Sequence, residues 1–244
     1  FGEDNFESCF FWRRRHNQPN DKSKPIAKVA EFIVVFSKNL DYLKIKKAFH
    51  GLPLSGKFSN PDNDPRGDWA SKPWKAGKGQ SGCKYKLITP TGKIYEEEWL
   101  GDFDTYKSLL DEKRIFFPRK GNGLPRKKYY KSEREIEGQC ANNFWGHKEF
   151  GSNQDASKEI EEIGITFDNP KPTKLLKAII NIFSDKDSII LDSFAGSGTT
   201  AHAVLALNQE DGGKRRFILV ECEDYADEIT AERVRRVIKG MPSA

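Results

Sequence analysis

The stretch that decides the fold is Ile190-Leu191-Asp192-Ser193-Phe194-Ala195-Gly196-Ser197-Gly198-Thr199-Thr200. An apolar run of strand length leads into two closely spaced glycines, and an Ala- and Leu-rich helical pattern begins at Thr199. Glycine lets the backbone pass close to a ligand, because it carries no Cβ. In open α/β sheets, ligands bind outside the carboxyl ends of the strands. The stretch therefore predicts a strand, a binding turn and a helix in succession.

Three interpretations of this turn compete. A triphosphate-binding loop needs Gly-Lys-Ser/Thr, and the absence of lysine from the turn argues against it. A dinucleotide fingerprint, G-x-G-x-x-G, is matched in its looser form, with Ala201 at the last position. A tight connection that binds no ligand is also compatible with the residues.

Glu221 adds a second indication. The run Phe217-Ile218-Leu219-Val220-Glu221 predicts a buried strand that ends in a carboxylate, 25 residues after Gly196. A Rossmann-type site places an acid in this position, where it accepts hydrogen bonds from ribose hydroxyls, worth about one to two decades in affinity. A glutamate at a strand end also serves as a helix cap or surface charge. The turn and the acid together favour a cofactor that contains ribose.

The residues around the turn predict an α/β architecture. Apolar residues at helical spacing predict a helix over 173–183, directly after Pro172. The elements expected next are a buried strand at 188–191, a helix at 199–208, a buried strand at 216–221 and a charged amphipathic helix at 224–239 that ends at Gly240. This order is half of a doubly wound α/β unit with parallel strands.

Residues 1–150 differ from the last third of the chain in their composition and predicted elements. Strands are predicted at 6–12 and 29–37, with a basic loop between them that begins at Arg13-Arg14-Arg15. Gly, Pro, Asn and Asp punctuate 51–82 around Trp69 and Trp74, and few regular elements are expected there. The later elements are a hairpin with strands 84–88 and 93–97 and a second basic loop at 118–125.

The charge of the 244-residue chain is unevenly distributed. The net charge is +5. Residues 1–150 hold 29 Lys and Arg against 20 Asp and Glu, whereas residues 151–244 hold 12 against 16, so the basic surplus belongs to the first part. A surplus of this sign suggests a polyanionic partner. A solvated, lysine-rich surface is the alternative.

Composition excludes several classes of protein. The 17 Phe and 5 Trp exclude a wholly disordered chain, and no apolar run approaches the roughly 18 residues of a membrane span. The widely spaced cysteines argue against a zinc ribbon and a disulfide scaffold, and they predict a reducing, cytoplasmic setting. These cysteines are Cys9, Cys83, Cys140 and Cys222. The four histidines show no metal-ligand spacing, so no metal site is predicted.

Three consecutive segments resemble the S-adenosylmethionine motifs of the permuted (β-group) DNA amino-methyltransferases. They are Asp168-Asn169-Pro170-Lys171-Pro172-Thr173-Lys174-Leu175-Leu176, residues 190–200 and residues 217–221. The resemblance implies a partial Rossmann-like methyltransferase sheet that depends on S-adenosylmethionine and carries an inserted target-recognition domain. The cofactor-binding residues that it implies are Lys171, Pro172, Thr173, Asp192, Phe194, Ala195, Gly196, Ser197, Gly198, Thr199 and Glu221.

Residues 1–150 resemble a narrower group, the modification subunits of Type III restriction systems and similar adenine-specific methylases. The matching segments are Phe1-Gly2-Glu3-Asp4-Asn5-Phe6, residues 31–39, residues 61–69 and residues 114–118. Ala30 departs from the pattern, because many relatives carry histidine there. The resemblance implies N6-adenine methylation of double-stranded DNA, with a homodimer and a restriction subunit as possible assemblies. The implied domains are methyltransferase strands at 1–50, a target-recognition domain at 51–150 and the cofactor-binding half at 151–244.

Loops with Arg, Lys and Trp in residues 1–150 suit phosphate contact and base stacking. For each single residue, a role inside a folded loop is the alternative. The candidate DNA-binding residues are Arg13, Arg14, Arg15, Arg66, Trp69, Lys72, Arg119, Lys120, Arg126 and Lys127.

The catalytic tetrapeptide of the family, Asp/Asn-Pro-Pro-aromatic, is missing from these residues. Its polar groups accept hydrogen bonds from the N6 amino group, and its ring stacks on the flipped base. None of the 12 prolines is adjacent to another, so the tetrapeptide is absent. The single methionine is Met241, so Phe1 is not expected to be the natural start of the reading frame. In the permuted order the tetrapeptide precedes the strands at 6–37. We therefore expect an excerpt of a longer protein, with its catalytic residues upstream and no methylation by this chain alone.

Two other functions compete with this interpretation. A non-catalytic DNA-binding or specificity module could use the same scaffold, and an upstream Asp/Asn-Pro-Pro-aromatic loop would favour the enzyme over that module. An NAD(P) oxidoreductase would share the glycine turn, but it would not explain the Pro-Lys-Pro helix or the basic insert.

Overall fold

The computed structural model describes residues 2–20, 22–23, 25–46, 54, 56–138 and 141–240. Phe1, Cys140 and Met241 lie outside the described residues. The chain divides into two compact units. The terminal unit comprises Phe1–Leu52 with Cys140–Ala244, and the central unit comprises Pro53–Gln139. Both units contain helices and small β-sheets, so the fold is mixed α/β.

The regular elements are numbered in chain order. The strands are β1 (Phe6–Arg13), β2 (Ala30–Phe36), β3 (Trp69–Pro73), β4 (Cys83–Ile88), β5 (Ile94–Trp99), β6 (Ile115–Phe116), β7 (Arg126–Tyr130), β8 (Phe144–Trp145), β9 (Ile189–Asp192) and β10 (Arg216–Leu219). The α-helices are α1 (Leu40–Lys46), α2 (Phe103–Asp111), α3 (Pro118–Gly121), α4 (Lys131–Glu137), α5 (His147–Phe150), α6 (Asn153–Glu162), α7 (Thr173–Phe183), α8 (Thr199–Asp211) and α9 (Glu232–Lys239). Short 3₁₀ turns form at Glu3–Asn5 and Asp224–Ala226, and a π-helical turn forms at Asp227–Ala231. In the described part of the chain, no helix has the length and hydropathy that a membrane crossing requires.

The first sheet of the terminal unit has the strand order β2-β1-β8. β1 is antiparallel to β2 and parallel to β8, so the two strands predicted in residues 1–50 are confirmed. Successive residues of a strand point to opposite faces. Phe10 and Trp12 are therefore buried, while Phe11 between them is exposed. The buried pair packs against α7 through Leu175, which joins the first strands to the last third of the chain.

From α7 onward, the predicted succession of helix, strand, helix, strand and helix is confirmed. β9 and β10 pair in parallel, and α7 packs on α8 through Ile180 and Val204. Two details differ from the prediction. β10 ends two residues before Glu221, and the helix predicted from Asp224 begins with a 3₁₀ turn and a π-helical turn before α9. Gly240 ends α9 in the left-handed region, with φ +62°.

One face of each small sheet in the terminal unit is apolar and exposed. Phe32 and Val34 of β2 are exposed, as are Leu191 of β9 and Ile218 of β10, at 63% and 52%. β9 and β10 were predicted to be buried strands, and this is corrected, because their residues alternate between exposed and half-buried.

The central unit is built on two antiparallel sheets, one ordered β3-β7-β6 and the other formed by β4 and β5. The hairpin predicted for the second sheet is confirmed. β3 corrects the expectation of few regular elements in 51–82. It forms because Trp69 is buried and pairs across the sheet with Tyr130 of β7. The core of this unit consists of Trp74, Leu87, Trp99, Tyr106, Leu109 and Ile115.

Candidate functional site

The predicted turn connects β9 to α8 through two glycines in the left-handed region. Gly196 has φ +51° and Gly198 has φ +75°. A Cβ on Gly198 would lie 2.9 Å from the carbonyl oxygen of Thr230, which is closer than side chains normally approach. At Gly196 the nearest atom to such a Cβ belongs to the Phe167 ring, at 3.6 Å, so only the backbone angle favours glycine there.

Glu221 lies directly against this turn. The backbone N–H of Gly196 donates to Oε2 of Glu221 at 2.7 Å, and the N–H groups of Cys222 and Glu223 donate to Oε1 at 2.9 and 3.1 Å. These donors, first Glu223 and then Gly196, hold the pKa of the Glu221 carboxyl below its usual value. The backbone bonds occupy three of the roughly four lone-pair positions of an ionised carboxylate. The Tyr225 side chain is a further hydrogen-bond partner of this carboxylate, so another donor would share or replace the contact with Tyr225.

A cleft of about 210 Å³ opens beside the turn. The predicted cofactor residues that line it are Lys171, Asp192, Phe194, Ala195, Gly196, Ser197 and Thr199. Lining residues that the sequence interpretation missed are Phe167, Asn169, Pro170, Leu176 and Thr200. Four predicted residues are not part of the lining. Pro172, Thr173 and Gly198 are buried, and Glu221 contacts the lining through Gly196.

Asp192, the last residue of β9, connects the two ends of the turn. Its Oδ2 accepts a hydrogen bond from Thr200 Oγ1 at 2.5 Å, and its Oδ1 accepts one from the N–H of Phe194 at 3.2 Å. The aspartate thus fixes the turn to the first turn of α8. The Phe194 ring, 87% exposed, is left free beside the cleft.

The Pro-Lys-Pro segment leads into α7. Pro172 is buried and occupies the N-cap position of α7, where its fixed φ suits the entry into a helix. Lys171 Nζ pairs with Glu31 Oε2 of β2 at 3.0 Å, and Arg14 Nη1 lies 2.8 Å from Oε1 of the same glutamate. Glu31 therefore neutralises part of the charge of both cations, although Lys171 also lines the cleft.

Arg233 of α9 belongs to this site but was not found from the sequence. It is fully buried, and it donates hydrogen bonds to the hydroxyl oxygens of Ser197 and Thr199 at 3.1 and 2.8 Å. The sequence contained one indication of this role. Arg233 lies in the amphipathic helix predicted at 224–239, three residues after Thr230 and on the same inward face. An arginine is rarely buried at such a position without a specific partner.

Two candidate DNA contacts of the central unit are used inside the fold. Trp69 is only 5% exposed, and its indole N–H donates to Asp62 Oδ1 at 2.8 Å. Arg66 donates from Nε and Nη2 to the two oxygens of Asp64, both at 2.9 Å, and lies over the Tyr130 ring. The expectation that Trp69 stacks on bases is corrected, because burial leaves it no free ring face. The Arg66 guanidinium is likewise engaged within the unit.

Asp64 is the centre of a charged network in this unit. Besides Arg66, it accepts hydrogen bonds from Lys128 Nζ at 3.0 Å and from the Tyr130 hydroxyl at 2.6 Å. Lys128 is buried and also pairs with Asp62. These donors, Arg66 foremost, hold the pKa of Asp64 far below its usual value. The network packs the segment before β3 onto β7.

The other candidates of the central unit are more accessible. Lys72 and Lys127 are cross-strand partners in β3 and β7, and their Nζ atoms lie 5.3 and 5.4 Å from the Tyr129 ring. Arg119 and Lys120 are exposed, each with a left-handed backbone at φ +54°. Arg126 donates to both the side-chain and the backbone oxygen of its neighbour Ser71, so its guanidinium is partly engaged.

The three consecutive arginines that begin at the last residue of β1 differ from one another. Arg14 is paired with Glu31, as described above. Arg13 turns back and donates to the carbonyl oxygens of Arg15 and His16 at 3.1 and 2.9 Å. The Arg15 side chain is exposed, which makes it the most accessible of the three.

The histidines carry no predicted role, and two of them meet in the structure. The rings of His16 and His147 lie 4.7 Å apart, and His16 Nε2 is 3.2 Å from Asp155 Oδ2. Across the described residues, no three His, Cys, Asp or Glu side chains are grouped to hold a metal ion.

Comparison with known proteins identifies the family. Residues 2–232 match the family model described as DNA methylase. The chain belongs to this DNA methylase family. The resemblance drawn from the glycine turn, the Pro-Lys-Pro segment and the strand before Glu221 is thereby confirmed.

Individual members of the DNA methylase family extend the comparison. The chain is 35% identical to the Type III restriction-modification enzyme StyLTI Mod subunit of Salmonella typhimurium (strain LT2), over 97% of this chain and 38% of that protein. It is 25% identical to the Type III restriction-modification enzyme EcoP15I Mod subunit of Escherichia coli, over 92% and 40%. It is 36% identical to the Type II methyltransferase M.KpnI of Klebsiella pneumoniae, over 56% and 32%. The chain thus spans about two fifths of the length of the two Mod subunits.

Proposed function

We propose that this chain is part of an enzyme that transfers a methyl group from S-adenosylmethionine to N6 of adenine in double-stranded DNA, within a restriction-modification system. The observation that carries the proposal is the hydrogen bond from Gly196 to Glu221 beside the cleft. Membership of the DNA methylase family and the similarity to Mod subunits support the reaction type. In this proposal the terminal unit is part of a Rossmann-like sheet.

The residues beside the turn fit the cofactor in two respects. Glu221 offers a carboxylate oxygen to a ribose hydroxyl, which would take the place of the Tyr225 side chain. The exposed Phe194 ring offers a flat apolar face to a purine. The cleft is smaller than the roughly 300–1,000 Å³ pockets that enclose comparable ligands, so it would take one end of the molecule while the rest lies along the open turn. When bound, the cofactor supplies the activated methyl group, and these residues hold and orient it.

We propose the central unit, within residues 51–150, as the target-recognition domain inserted into the methyltransferase fold. Lys72 and Lys127 support this role, because they place two cations within 5.4 Å of the centre of the Tyr129 ring. Lysines in this arrangement suit phosphate oxygens, which supply most of the affinity for DNA that does not depend on sequence. Arg119 and Lys120 add two exposed cations.

The partners follow from the relatives by analogy. Two of the named relatives are Mod subunits of Type III restriction-modification enzymes. We therefore propose a restriction subunit and a second copy of the same subunit as partners of the whole protein.

A calorimetric titration with S-adenosylhomocysteine tests the cofactor proposal, with NAD⁺ as the competing ligand. We expect S-adenosylhomocysteine to bind and NAD⁺ not to bind. The affinity should be weaker than in an intact methyltransferase, because the open faces at Leu191 and Ile218 leave the sheet incompletely packed. Binding of NAD⁺ alone, or of neither ligand at millimolar concentration, would overturn the proposal.

A further inference from the structure

Arg233 binds the hydroxyl groups of two residues that line the cleft. The residue is 0% exposed, so it cannot touch a ligand itself. Its Nη1 donates to Ser197 Oγ and Thr199 Oγ1, and both of those residues line the cleft. The guanidinium therefore contacts the cleft only through residues that line it.

The same guanidinium connects three elements around the cleft. Nη2 lies 3.4 Å from Thr173 Oγ1 in the first turn of α7 and 3.2 Å from His202 Nδ1 in α8. Nε is buried and has no hydrogen-bond partner among the residues that the structure describes. Arg233 of α9 therefore holds the beginning of α7, the glycine turn and α8 in one arrangement.

The charge of Arg233 is not neutralised at close range. All its hydrogen-bond partners are neutral, and none of the described carboxylates forms an ion pair with it. Glu159, whose Oε2 accepts the N–H of Thr173 at 2.9 Å, acts on it only over a longer distance. Burial lowers the pKa of Arg233 to about 10, so the residue remains protonated at neutral pH. Burial, and next the charge of Arg233, lower the pKa of His202 to about 4, so His202 stays neutral.

The hydroxyl protons of Ser197 and Thr199 indicate which ligand group the charge of Arg233 favours. The oxygens of Ser197 and Thr199 accept from Arg233, and they lie 3.2 Å from each other. One of the two hydroxyl groups can donate its proton to the oxygen of the other. The second hydroxyl group then keeps its proton free to donate to a ligand. Thr199 is also the first residue of α8, where unpaired N–H groups and the helix dipole favour an anion. A negatively charged acceptor in the cleft would be favoured by the charge of Arg233, by the free hydroxyl proton and by the N-terminus of α8.

We propose that Arg233 is a positioning residue that makes this part of the cleft selective for a carboxylate. The inference rests on the proposed function, in which the carboxylate is that of the amino-acid end of the cofactor. Arg233 acts through Ser197 and Thr199: it fixes their oxygens, directs a hydroxyl proton into the cleft, and supplies the positive charge behind them.

The test compares two ligands that differ in one group. S-adenosylhomocysteine carries the carboxylate, and decarboxylated S-adenosylhomocysteine lacks only that group. We expect Arg233→Gln to lower the affinity for the first ligand about tenfold more than for the second, because a charge-assisted interaction is lost. Arg233→Lys keeps the charge and should restore most of this difference. An equal loss for both ligands in Arg233→Gln would overturn the inference and leave a purely structural role.

Two further variants keep the test decisive. If Arg233→Gln does not fold, as judged by circular dichroism, Thr199→Ala removes a cleft hydroxyl while Arg233 remains, and it should show the same selective loss. Arg236→Gln is the matched control, because Arg236 lies on the same helix but pairs with Glu232. It should leave the ratio of the two affinities unchanged.

If the unaltered chain binds neither ligand, the cofactor proposal fails, and this inference fails with it. If it binds both equally, only this inference fails.

Discussion

The backbone N–H of Gly196 and Oε2 of Glu221 are joined by a 2.7 Å hydrogen bond, although 25 residues separate them in the sequence. The bond is possible because β9 and β10 are parallel neighbours, so that the turn after one strand and the acid after the next lie at the same edge of the sheet. The bond therefore helps to fix the shape of the turn. Such preorganisation reduces the entropic cost of binding.

Replacing Glu221 tests its place in the site. Glu221→Ala should weaken the binding of S-adenosylhomocysteine by about one to two decades, because both a ribose acceptor and the partner of the Gly196 N–H are lost. A calorimetric titration measures this change. Glu223→Ala is the matched control, since it removes a neighbouring carboxylate and retains the backbone N–H that donates to Glu221. Unchanged affinity in Glu221→Ala would remove Glu221 from the site.

Gly198 should tolerate substitution less well than Gly212, although both have φ near +70°. In Gly212→Ala the added Cβ has no described atom within 4 Å. We therefore expect the free energy of unfolding to fall by about 1–2 kcal/mol from the backbone angle alone. Gly198→Ala also places a methyl group against the Thr230 carbonyl, and it should cost more stability and weaken cofactor binding. Urea denaturation and ligand titration measure the two effects. Equal stability losses would show that the contact with Thr230 is unimportant.

The charged network of the central unit should make its stability depend on acidity. Asp64→Asn leaves Lys128 and Arg66 without their shared carboxylate, and we expect a loss of roughly 3–5 kcal/mol in the free energy of unfolding at neutral pH. Urea unfolding followed by tryptophan fluorescence measures it. Asp68→Asn, at an exposed carboxylate of the same segment, should change little.

The pH dependence of this effect has a definite sign. The pKa of Asp64 in the folded protein lies far below its usual 3.8. Its contribution is therefore fully present above that value and is lost as the pH falls below it. We expect the original chain to lose stability below about pH 4 more steeply than Asp64→Asn. Parallel curves for the two proteins would contradict the assignment.

Lys72 and Lys127 should contribute to DNA binding through charge. Replacing either by Ala should reduce the slope of log affinity against log salt concentration by about one, with little dependence on base sequence. Fluorescence anisotropy with a labelled duplex at several salt concentrations measures the slope. Lys107→Ala, on the exposed side of α2, is the control for a loss of charge elsewhere in the unit. A slope reduced equally by all three variants would argue against a specific surface.

Methyl transfer by the 244 residues alone should be undetectable. No two prolines are adjacent in the sequence, so the Asp/Asn-Pro-Pro-aromatic loop that receives adenine N6 is not among these residues. Transfer of a tritiated methyl group to adenine-containing DNA measures the activity. Turnover comparable to that of an intact enzyme would refute the expectation.

The glycine turn and its surroundings could be predicted because their signals are local. Apolar periodicity defined α7, β9, α8 and β10, and the parallel geometry of such units brought Glu221 to Gly196. The end of β10 and the turns before α9 were less predictable, because the boundaries of elements depend on contacts that the local pattern does not contain.

Burial of charged residues could not be predicted in the same way. Asp64 and Lys128 are 64 residues apart, and only the folded sheet brings them together. Arg66 and Trp69 therefore had the appearance of free surface residues in an irregular segment, whereas Trp69 is buried and the half-buried Arg66 is paired with Asp64. Arg233 was missed for the same reason, since its partners come from α7, the turn and α8.

The π-helical turn at Asp227–Ala231 sets the rotation of the last helix. It directs the Thr230 hydroxyl to the carbonyl oxygen of Gly196, at 2.5 Å, and it brings Arg233 to Ser197 one turn later. A π turn contains one residue more than the corresponding α-helical turn. Removing that residue would rotate everything beyond it by about 100°, and a different side chain would then occupy the position of Arg233. When this helix is grafted between related enzymes, the number of residues before the arginine therefore matters more than their identity.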